Sequence, residues 1–165
     1  MSKITNNPTV SEEKVDIRRK AIGHRAMWMA LMFDEMRKAG VEDAEGITRR
    51  AIARTGQIHG AGFKEKRGGA ECVCSFADAF LDPLGIKTFE MAPASSDDAL
   101  EIDFHYCPLV TAWQVLGFDD ETIALLCDMA MDGDRNIAAA NGLKFTLGDT
   151  IAAGCPTCKL KFEKK

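Results

Sequence analysis

Two pairs of short alternating segments constrain the fold of this chain most strongly. The first pair, IKTFEMAP and ALEIDFHY, is separated by the polar stretch SSDD, and the second pair, LKFTL and CKLKF, surrounds GDTIAAGCPT. Alternation of apolar and polar residues predicts strands, and a polar turn between two such runs predicts a hairpin. Two hairpins separated by helical stretches predict an α+β domain, with four or five helices packed on an antiparallel sheet of about four strands.

The N-terminal half has the apolar spacing of helices. From the N-cap candidate Ser11, apolar residues recur every three or four positions up to Gly40, which predicts a long helix. Because residues around Trp28 widen the apolar stripe, we expect this helix to be central to the core. A second helix is expected over residues 42–57, ending before two glycines, and the charged, glycine-rich segment 63–69 is expected to be a mobile loop.

Shorter helices are expected in the rest of the chain. One lies in the segment AECVCSFADAFLDPLG, where Pro83 is expected to stop it. Another begins at Pro108, a residue that suits the first position of a helix. A third is capped by Asp119 or Asp120 and is expected to end near Asn141.

Composition narrows the class of protein. The 165 residues carry a net charge of −4 with scattered basic side chains, so we expect no nucleic-acid partner. The sequence has no signal peptide and no apolar run of roughly 18 residues, so we expect a cytoplasmic protein without a membrane partner and with reduced cysteines. Residues 1–10 are expected to be a flexible tail, and residues 11–165 a single domain.

Cys127 and at least one of Cys72 and Cys74 are expected to be core residues. The sequence does not determine the oligomeric state, and a homo-oligomer is possible.

The stretch EIDFHYCPL contains the strongest candidate for a reactive site. In a strand its residues form an apolar row and a polar row, and the polar row includes Asp103, His105 and Cys107. Pro108 makes Cys107 the expected N-cap of the next helix, where free N–H groups favour an anion and should depress the pKa of the thiol. His105 as the base and Asp103 as its orienting partner would complete a Cys/His/carboxylate arrangement. The alternative is an exposed histidine beside a structural cysteine.

The segment MDGDRN offers a second set of candidates. Asp134 could serve as a general acid or base, and Arg135 could hold a substrate carboxylate in a bidentate manner. The alternative is that these residues are solvated charges around Gly133.

A zinc site is a further alternative. Cys155 and Cys158 form a C-x-x-C pair, which supplies half of a structural zinc site. Cys107 could join them if the second and fourth strands are neighbours, with Asp149 or His105 as the last ligand. Without such a site, no cofactor is expected.

Three blocks, FHYCPLVTAW, LLCDMAMDGDR and LKFTLGDTIAAGCPTCKLKF, resemble the L-2-amino-thiazoline-4-carboxylic acid hydrolase family. The likeness covers about residues 72–162. The last block also resembles the end of 4-vinyl reductase ligand-binding domains, in which cysteines and a carboxylate bind zinc. Ala152 stands where that pattern has a cysteine, although Cys155 could substitute for it.

The resemblance implies a hydrolase that adds water to the ring carbon between nitrogen and sulfur of a cyclic isothiourea and so forms N-carbamoyl-cysteine. Our hypothesis makes Cys107 the nucleophile or a water-orienting thiolate and His105 the general base. Asp134 or Asp149 would be the proton donor or orienter. Arg135, Asp103 and Tyr106 are expected to bind the small-molecule substrate. The competing function is a non-catalytic domain of the 4-vinyl reductase type that binds a small molecule or zinc.

Overall fold

A computed structural model describes residues 2–165 of the chain. The helices are α1 Glu13–Lys38, α2 Ala44–Lys66, α3 Val73–Phe80, α4 Pro83–Phe89, α5 Pro108–Val115, α6 Asp120–Ala130 and α7 Asp132–Ala140, and a 3₁₀ turn spans Ile151–Ala153. The strands are β1 Met91–Ser95, β2 Ala99–Phe104, β3 Leu143–Leu147 and β4 Cys158–Lys164. Within residues 2–165, no helix is both long and apolar enough to cross a membrane.

The four strands form one antiparallel sheet in the order β1-β2-β4-β3. The predicted α+β fold, with two hairpins, is therefore confirmed, and the second and fourth strands are neighbours. Phe104, the last residue of β2, lies opposite Cys158, the first residue of β4. The apolar row of β2 is buried, with Leu100 and Ile102 at 0% and 1% exposure, because it faces the helices.

Helix α1 packs on the core through a narrower face than predicted. Ala26, Ala30 and Phe33 are buried, and the carbonyl of Ala26 accepts a hydrogen bond from the buried Trp113 indole at 3.0 Å. Trp28, by contrast, is 62% exposed. Helix α1 therefore packs on the core as predicted, but the residues that widen its apolar stripe do not, since small residues bring α1 close to α5 along one face only.

Helix α2 continues to Lys66, so the predicted end near residue 57 and the predicted loop at 63–69 are wrong for most of that segment. Gly60 packs directly on α7. A Cβ atom added at Gly60 would lie 2.7 Å from the Cβ of Ala140 and 3.0 Å from the Cα of Ile137. The glycine is therefore explained by close packing of two helices and does not end the helix.

Pro83 follows the end of α3, as predicted, but it is also the first residue of the next helix, α4. It occupies the first turn of α4, and Asp82 caps that helix by accepting a hydrogen bond from the N–H of Gly85 at 2.8 Å. The part of the first predicted strand up to Phe89 is consequently helical, and β1 begins only after Glu90 adopts a left-handed conformation. The last predicted helix is divided at Met131 into α6 and α7.

Cys72 and Cys74 form a disulfide, so the expectation of reduced, core-packed thiols is wrong for this pair. Cys72 is the N-cap of α3 and has an extended backbone, whereas Cys74 lies in the first turn of the helix. The prediction assumed that both residues were helical, in which case positions i and i+2 would point apart.

Residues 2–10, which we call the N-terminal strap, were expected to be a flexible tail but are docked on the domain. Lys3 donates its N–H to Asp120 at 2.7 Å, and Thr9 donates its N–H to Glu90 at 2.7 Å. Between these two points Asn6 is buried. The strap therefore contacts both α6 and the residue that precedes β1.

Candidate functional site

Cys107 lies at the junction between β2 and α5, as the sequence predicted. It is the N-cap of α5, with Pro108 in the first turn, and its side chain makes no capping hydrogen bond. The N-terminal strap fixes its backbone: the Asn6 amide accepts a hydrogen bond from the N–H of Cys107 at 2.9 Å and donates to its carbonyl at 2.8 Å. The same amide nitrogen also donates to the hydroxyl of Thr111 at 2.9 Å. These contacts hold Cys107 half-buried against the core.

Two further thiols are close to Cys107. Cys158 begins β4, opposite Phe104, and Cys127 is buried on α6. The negative charge that Cys158 acquires on ionisation raises the pKa of Cys107, and Cys107 in turn raises the pKa of Cys127. We call Cys107, Cys127 and Cys158 the three-thiol cluster.

The thiols of this cluster are neutral at physiological pH. Burial raises the pKa of Cys107 to about 12, and the nearby N–H groups of Val110 and Leu109 offset only part of this effect. Burial likewise raises the pKa of Cys158 to about 11, although its sulfur accepts a hydrogen bond from the N–H of Ile151 at 3.2 Å. The prediction of a depressed pKa at Cys107 is therefore wrong, because burial outweighs the helix N-terminus.

Asp134 lies in the first turn of α7 and belongs to the same site. Burial raises the pKa of its carboxyl from the ordinary value of 3.8 to about 6, against the smaller lowering effects of its own N–H and of Arg135. Its charge is the smallest of the effects that raise the pKa values of Cys107 and Cys127, and among residues 2–165 no hydrogen bond joins the carboxyl to either sulfur. A carboxyl that ionises near pH 6 is suited to exchange protons at neutral pH.

His105 and Asp103, which were expected to act as the base for Cys107 and its orienting partner, do not have the arrangement that the sequence predicted. His105 is exposed, and among residues 2–165 its imidazole makes no hydrogen bond. Asp103 is half-buried within β2, opposite Ala92 on one side and Lys159 on the other. Because β2 ends at Phe104, the strand alternation that would align His105 with Cys107 stops before either residue. The structure does not join these side chains in a triad.

Tyr106 is buried instead of exposed to a substrate. Its hydroxyl accepts a hydrogen bond from the hydroxyl of Thr111 at 3.0 Å, and the guanidinium carbon of Arg19 lies 4.3 Å from its ring centre. Arg19 also forms a buried ion pair with Glu90 at 2.9 Å. Tyr106 is therefore part of the support beneath the site.

Arg135 forms ion pairs within the protein. Its guanidinium donates to Asp128 and to Asp132, each at 2.6 Å, and Arg49 pairs with the same two carboxylates. Since Asp128 and Asp132 lie on either side of the break between α6 and α7, these pairs fix the turn that presents Asp134.

Of the proposed zinc ligands, Cys158 is close to both Cys107 and Cys155, and the ionised form of Cys155 raises its pKa. Asp149 is exposed and its carboxylate lies 3.4 Å from the ammonium of Lys159. Among residues 2–165, Cys107, Cys155 and Cys158 do not form a group whose sulfurs all lie within 4.8 Å of one another, and the Asp149 carboxylate pairs with a surface lysine, so a zinc site there stays a prediction.

The model of the L-2-amino-thiazoline-4-carboxylic acid hydrolase family matches residues 19–162. The chain belongs to this family. The resemblance of the three sequence blocks to the L-2-amino-thiazoline-4-carboxylic acid hydrolases is thus confirmed, and the matched range includes the three-thiol cluster and Asp134. Asn6 and the rest of the N-terminal strap lie before it.

Other comparisons add little to this family assignment. No curated protein matches the chain. A solved structure with some likeness is trafficking protein particle complex subunit 3 from Naegleria fowleri, covalently bound to palmitic acid. It is 10% identical, with a TM-score of 0.48, and the alignment covers 86% of this chain and 95% of that one. The likeness to 4-vinyl reductase domains stays a prediction.

In this family member, sequence analysis did not place Cys127 at the site. It was correctly assigned to the core, and the residue is 7% exposed. Its spacing on α6 shows only that it faces inward. The effect of Cys107 on its pKa depends on how α6 packs beside the junction of β2 and α5, for which the sequence contains no direct signal.

Proposed function

We propose that this member of the L-2-amino-thiazoline-4-carboxylic acid hydrolase family opens the ring of 2-amino-thiazoline-4-carboxylate or a closely similar cyclic isothiourea. In this proposal Asp134 is the general base and Cys107 is the nucleophile. The observation that carries it is the Asp134 carboxyl, whose pKa is raised by burial to about 6 and which can therefore exchange protons at neutral pH. Family membership supports hydrolysis as the type of reaction.

A neutral thiol needs a base in order to attack. Because the pKa of Cys107 is about 12, its thiolate is scarce at pH 7, and a neighbouring carboxylate can remove the proton as the sulfur attacks. The Cys107 sulfur bonds to the ring carbon between nitrogen and sulfur, and the ring C–S bond breaks. The ring sulfur leaves as a thiolate and takes a proton from Asp134. Asp134 then takes a proton from water, whose oxygen attacks the same carbon. The bond between that carbon and the Cys107 sulfur breaks, and the thiolate of Cys107 takes the proton back from Asp134. Both nitrogens stay on the carbon, so the product is N-carbamoyl-cysteine and no ammonia is released.

The remaining predicted residues take supporting roles in this proposal. Arg135 holds Asp128 and Asp132, so we assign it to positioning the turn that carries Asp134 in preference to binding the substrate carboxylate. His105 is exposed and is not required as the base.

The direct test is turnover. Purified protein is incubated with 2-amino-thiazoline-4-carboxylate, and N-carbamoyl-cysteine is followed by mass spectrometry. Cys107→Ser should reduce kcat by at least about a hundredfold, because a less acidic and less nucleophilic group replaces the thiol. Cys155→Ser, at another half-buried cysteine, is the matched control and should retain the wild-type rate. Turnover that survives in Cys107→Ser would exclude the assigned nucleophile, and absence of turnover in the wild type would exclude this substrate.

A further inference from the structure

A cavity of about 650 Å³ lies where the end of α2, the start of α3 and the end of β4 meet. The cationic side chains of its lining are Lys64, Arg67, Lys164 and Lys165, and the acidic ones are Glu71 and Asp97. Lys164 forms an ion pair with Asp98 at 2.7 Å, so Lys64, Arg67 and Lys165 are the cations left to a ligand. Cys72, one of the two residues of the disulfide, also lines the cavity. None of these residues belongs to the three-thiol cluster.

Arg67 is the fixed cation of this cavity. Its half-buried guanidinium donates to the hydroxyl of Ser75 at 3.0 Å, to the side-chain oxygen of Asn141 at 3.3 Å and to the carbonyl of Cys72 at 3.2 Å. Asn141 is itself held, because its amide nitrogen donates to the carbonyl of Gly60 at 3.0 Å. All of these acceptors are neutral, and among residues 2–165 Arg67 forms no ion pair. Its charge is therefore uncompensated and is available to an anionic ligand.

The disulfide is suited to exchange with a thiol. The Cα atoms of Cys72 and Cys74 are 5.2 Å apart, within the usual range for a disulfide, and both residues are half-buried instead of sealed in the core. The sulfur of Cys72 accepts a hydrogen bond from the N–H of Ser75 at 3.2 Å. Cys74 lies in the first turn of α3, where free N–H groups stabilise a thiolate that leaves.

We propose that this cavity binds a small thiol that carries a carboxylate, and that the Cys72–Cys74 disulfide oxidises it by thiol–disulfide exchange. The carboxylate binds Arg67 and Lys64, and the thiol approaches Cys72. This proposal does not rest on the proposed ring opening.

The exchange has two balanced steps. The ligand thiolate attacks the sulfur of Cys72 and forms a mixed disulfide, while Cys74 leaves as a thiolate and takes up a proton. A second ligand thiolate then attacks the ligand sulfur of the mixed disulfide and releases a small-molecule disulfide and the reduced Cys72. Two thiols together lose two electrons and two protons, and the protein disulfide takes up both, so each chain reacts once without another oxidant.

Asp97 introduces a competing ligand. Its carboxylate lies within 4.8 Å of both sulfurs, so reduced Cys72 and Cys74 together with Asp97 could hold a metal ion such as zinc. The experiment must therefore separate thiol exchange from metal binding.

The test measures the rate at which thiols reduce the disulfide. Protein purified without reductant is mixed with 3-mercaptopropionate or with cysteamine at equal thiolate concentrations, and the mixed disulfide and the free thiols are quantified by mass spectrometry. The anionic thiol should react severalfold faster than the cationic one, because its carboxylate binds Arg67 and Lys64 and this attraction exceeds the repulsion by the Asp97 carboxylate, and the first adduct should be on Cys72. Lys64→Gln and Arg67→Gln should each reduce this preference by at least half. Arg54→Gln removes an exposed charge from the same helix outside the cavity and is the matched control.

Several results would overturn the proposal. One is an equal rate of reaction with the two thiols. Another is a preference for the anionic thiol that is as large in Lys64→Gln and Arg67→Gln as in the control Arg54→Gln. Two free thiols at positions 72 and 74 in the purified protein, or stoichiometric zinc that is lost in Cys72→Ser, would assign the pair to a different role. If Arg67→Gln does not fold, Lys64→Gln decides the question, since Lys64 is exposed and makes no hydrogen bond among residues 2–165.

Discussion

Replacement of Asp134 by asparagine should stabilise the protein at neutral pH while removing its activity. Burial raises the pKa of the carboxyl from 3.8 to about 6, so the folded state holds the proton more tightly than the unfolded state. The free energy of unfolding therefore falls as pH rises from about 3.8 to about 6, and it is constant with respect to this group above that range. At 1.36 kcal/mol for each pKa unit, the ionised carboxyl costs up to about 3 kcal/mol at pH 8.

Asparagine has nearly the same shape and no charge, so Asp134→Asn is free of this cost. Urea unfolding followed by circular dichroism from pH 4 to pH 8 gives the difference between the variant and the wild type. That difference should grow by up to about 3 kcal/mol over the range, mostly below pH 6.5. Asp78→Asn, which changes an exposed aspartate, should give a flat difference. A flat difference for Asp134→Asn as well would mean that the carboxyl is solvated, and the reasoning about the site would be refuted.

Further predictions concern packing, the N-terminal strap and thiol reactivity. Gly60→Ala should cost about 1–3 kcal/mol of unfolding free energy because its Cβ would collide with α7, whereas Gly62→Ala, with nothing within 4 Å, should gain up to about 1 kcal/mol; urea unfolding measures both. Asn6→Ala should cost about 1–3 kcal/mol through its lost hydrogen bonds to the site, and the exposed Asn7→Ala less than about 0.5 kcal/mol. At pH 7, iodoacetamide should modify Cys107 at least about a hundredfold more slowly than free cysteine; a rate equal to free cysteine would contradict the raised pKa.

Much of the fold follows from local patterns in the sequence. The alternation of apolar and polar residues predicted the two hairpins, and Pro108 correctly predicted the start of α5. Both signals depend only on residues that are close in sequence. The predictions were wrong where tertiary packing determines where a helix ends or which side chains are exposed. Gly60 was interpreted as lying beyond the end of a helix, but it lies within α2 because α7 packs closely there. Trp28 follows the helical period of the apolar stripe and is nevertheless exposed, since only one face of α1 is covered.

Sequence analysis selected residues of the candidate site but predicted the wrong direction for the pKa shift of Cys107. Sequence analysis selected both Cys107 and Asp134, and both are half-buried in the structure. It expected the helix N-terminus to lower the pKa of Cys107, whereas burial raises it. It paired Cys107 with His105 because they alternate along a strand, but β2 ends before either residue. The amount of burial and the point at which a strand ends depend on contacts between distant segments, which single-sequence patterns do not encode.

The central claim is that Asp134, and not His105, removes the proton at Cys107. The most direct test is kcat/KM for ring opening of 2-amino-thiazoline-4-carboxylate by the wild type, Asp134→Asn and His105→Gln. We predict a loss of at least about a hundredfold in Asp134→Asn and less than about twofold in His105→Gln, with an acidic limb near pH 6 in the profiles of the wild type and His105→Gln. A large loss in His105→Gln together with near-normal turnover in Asp134→Asn would contradict the account.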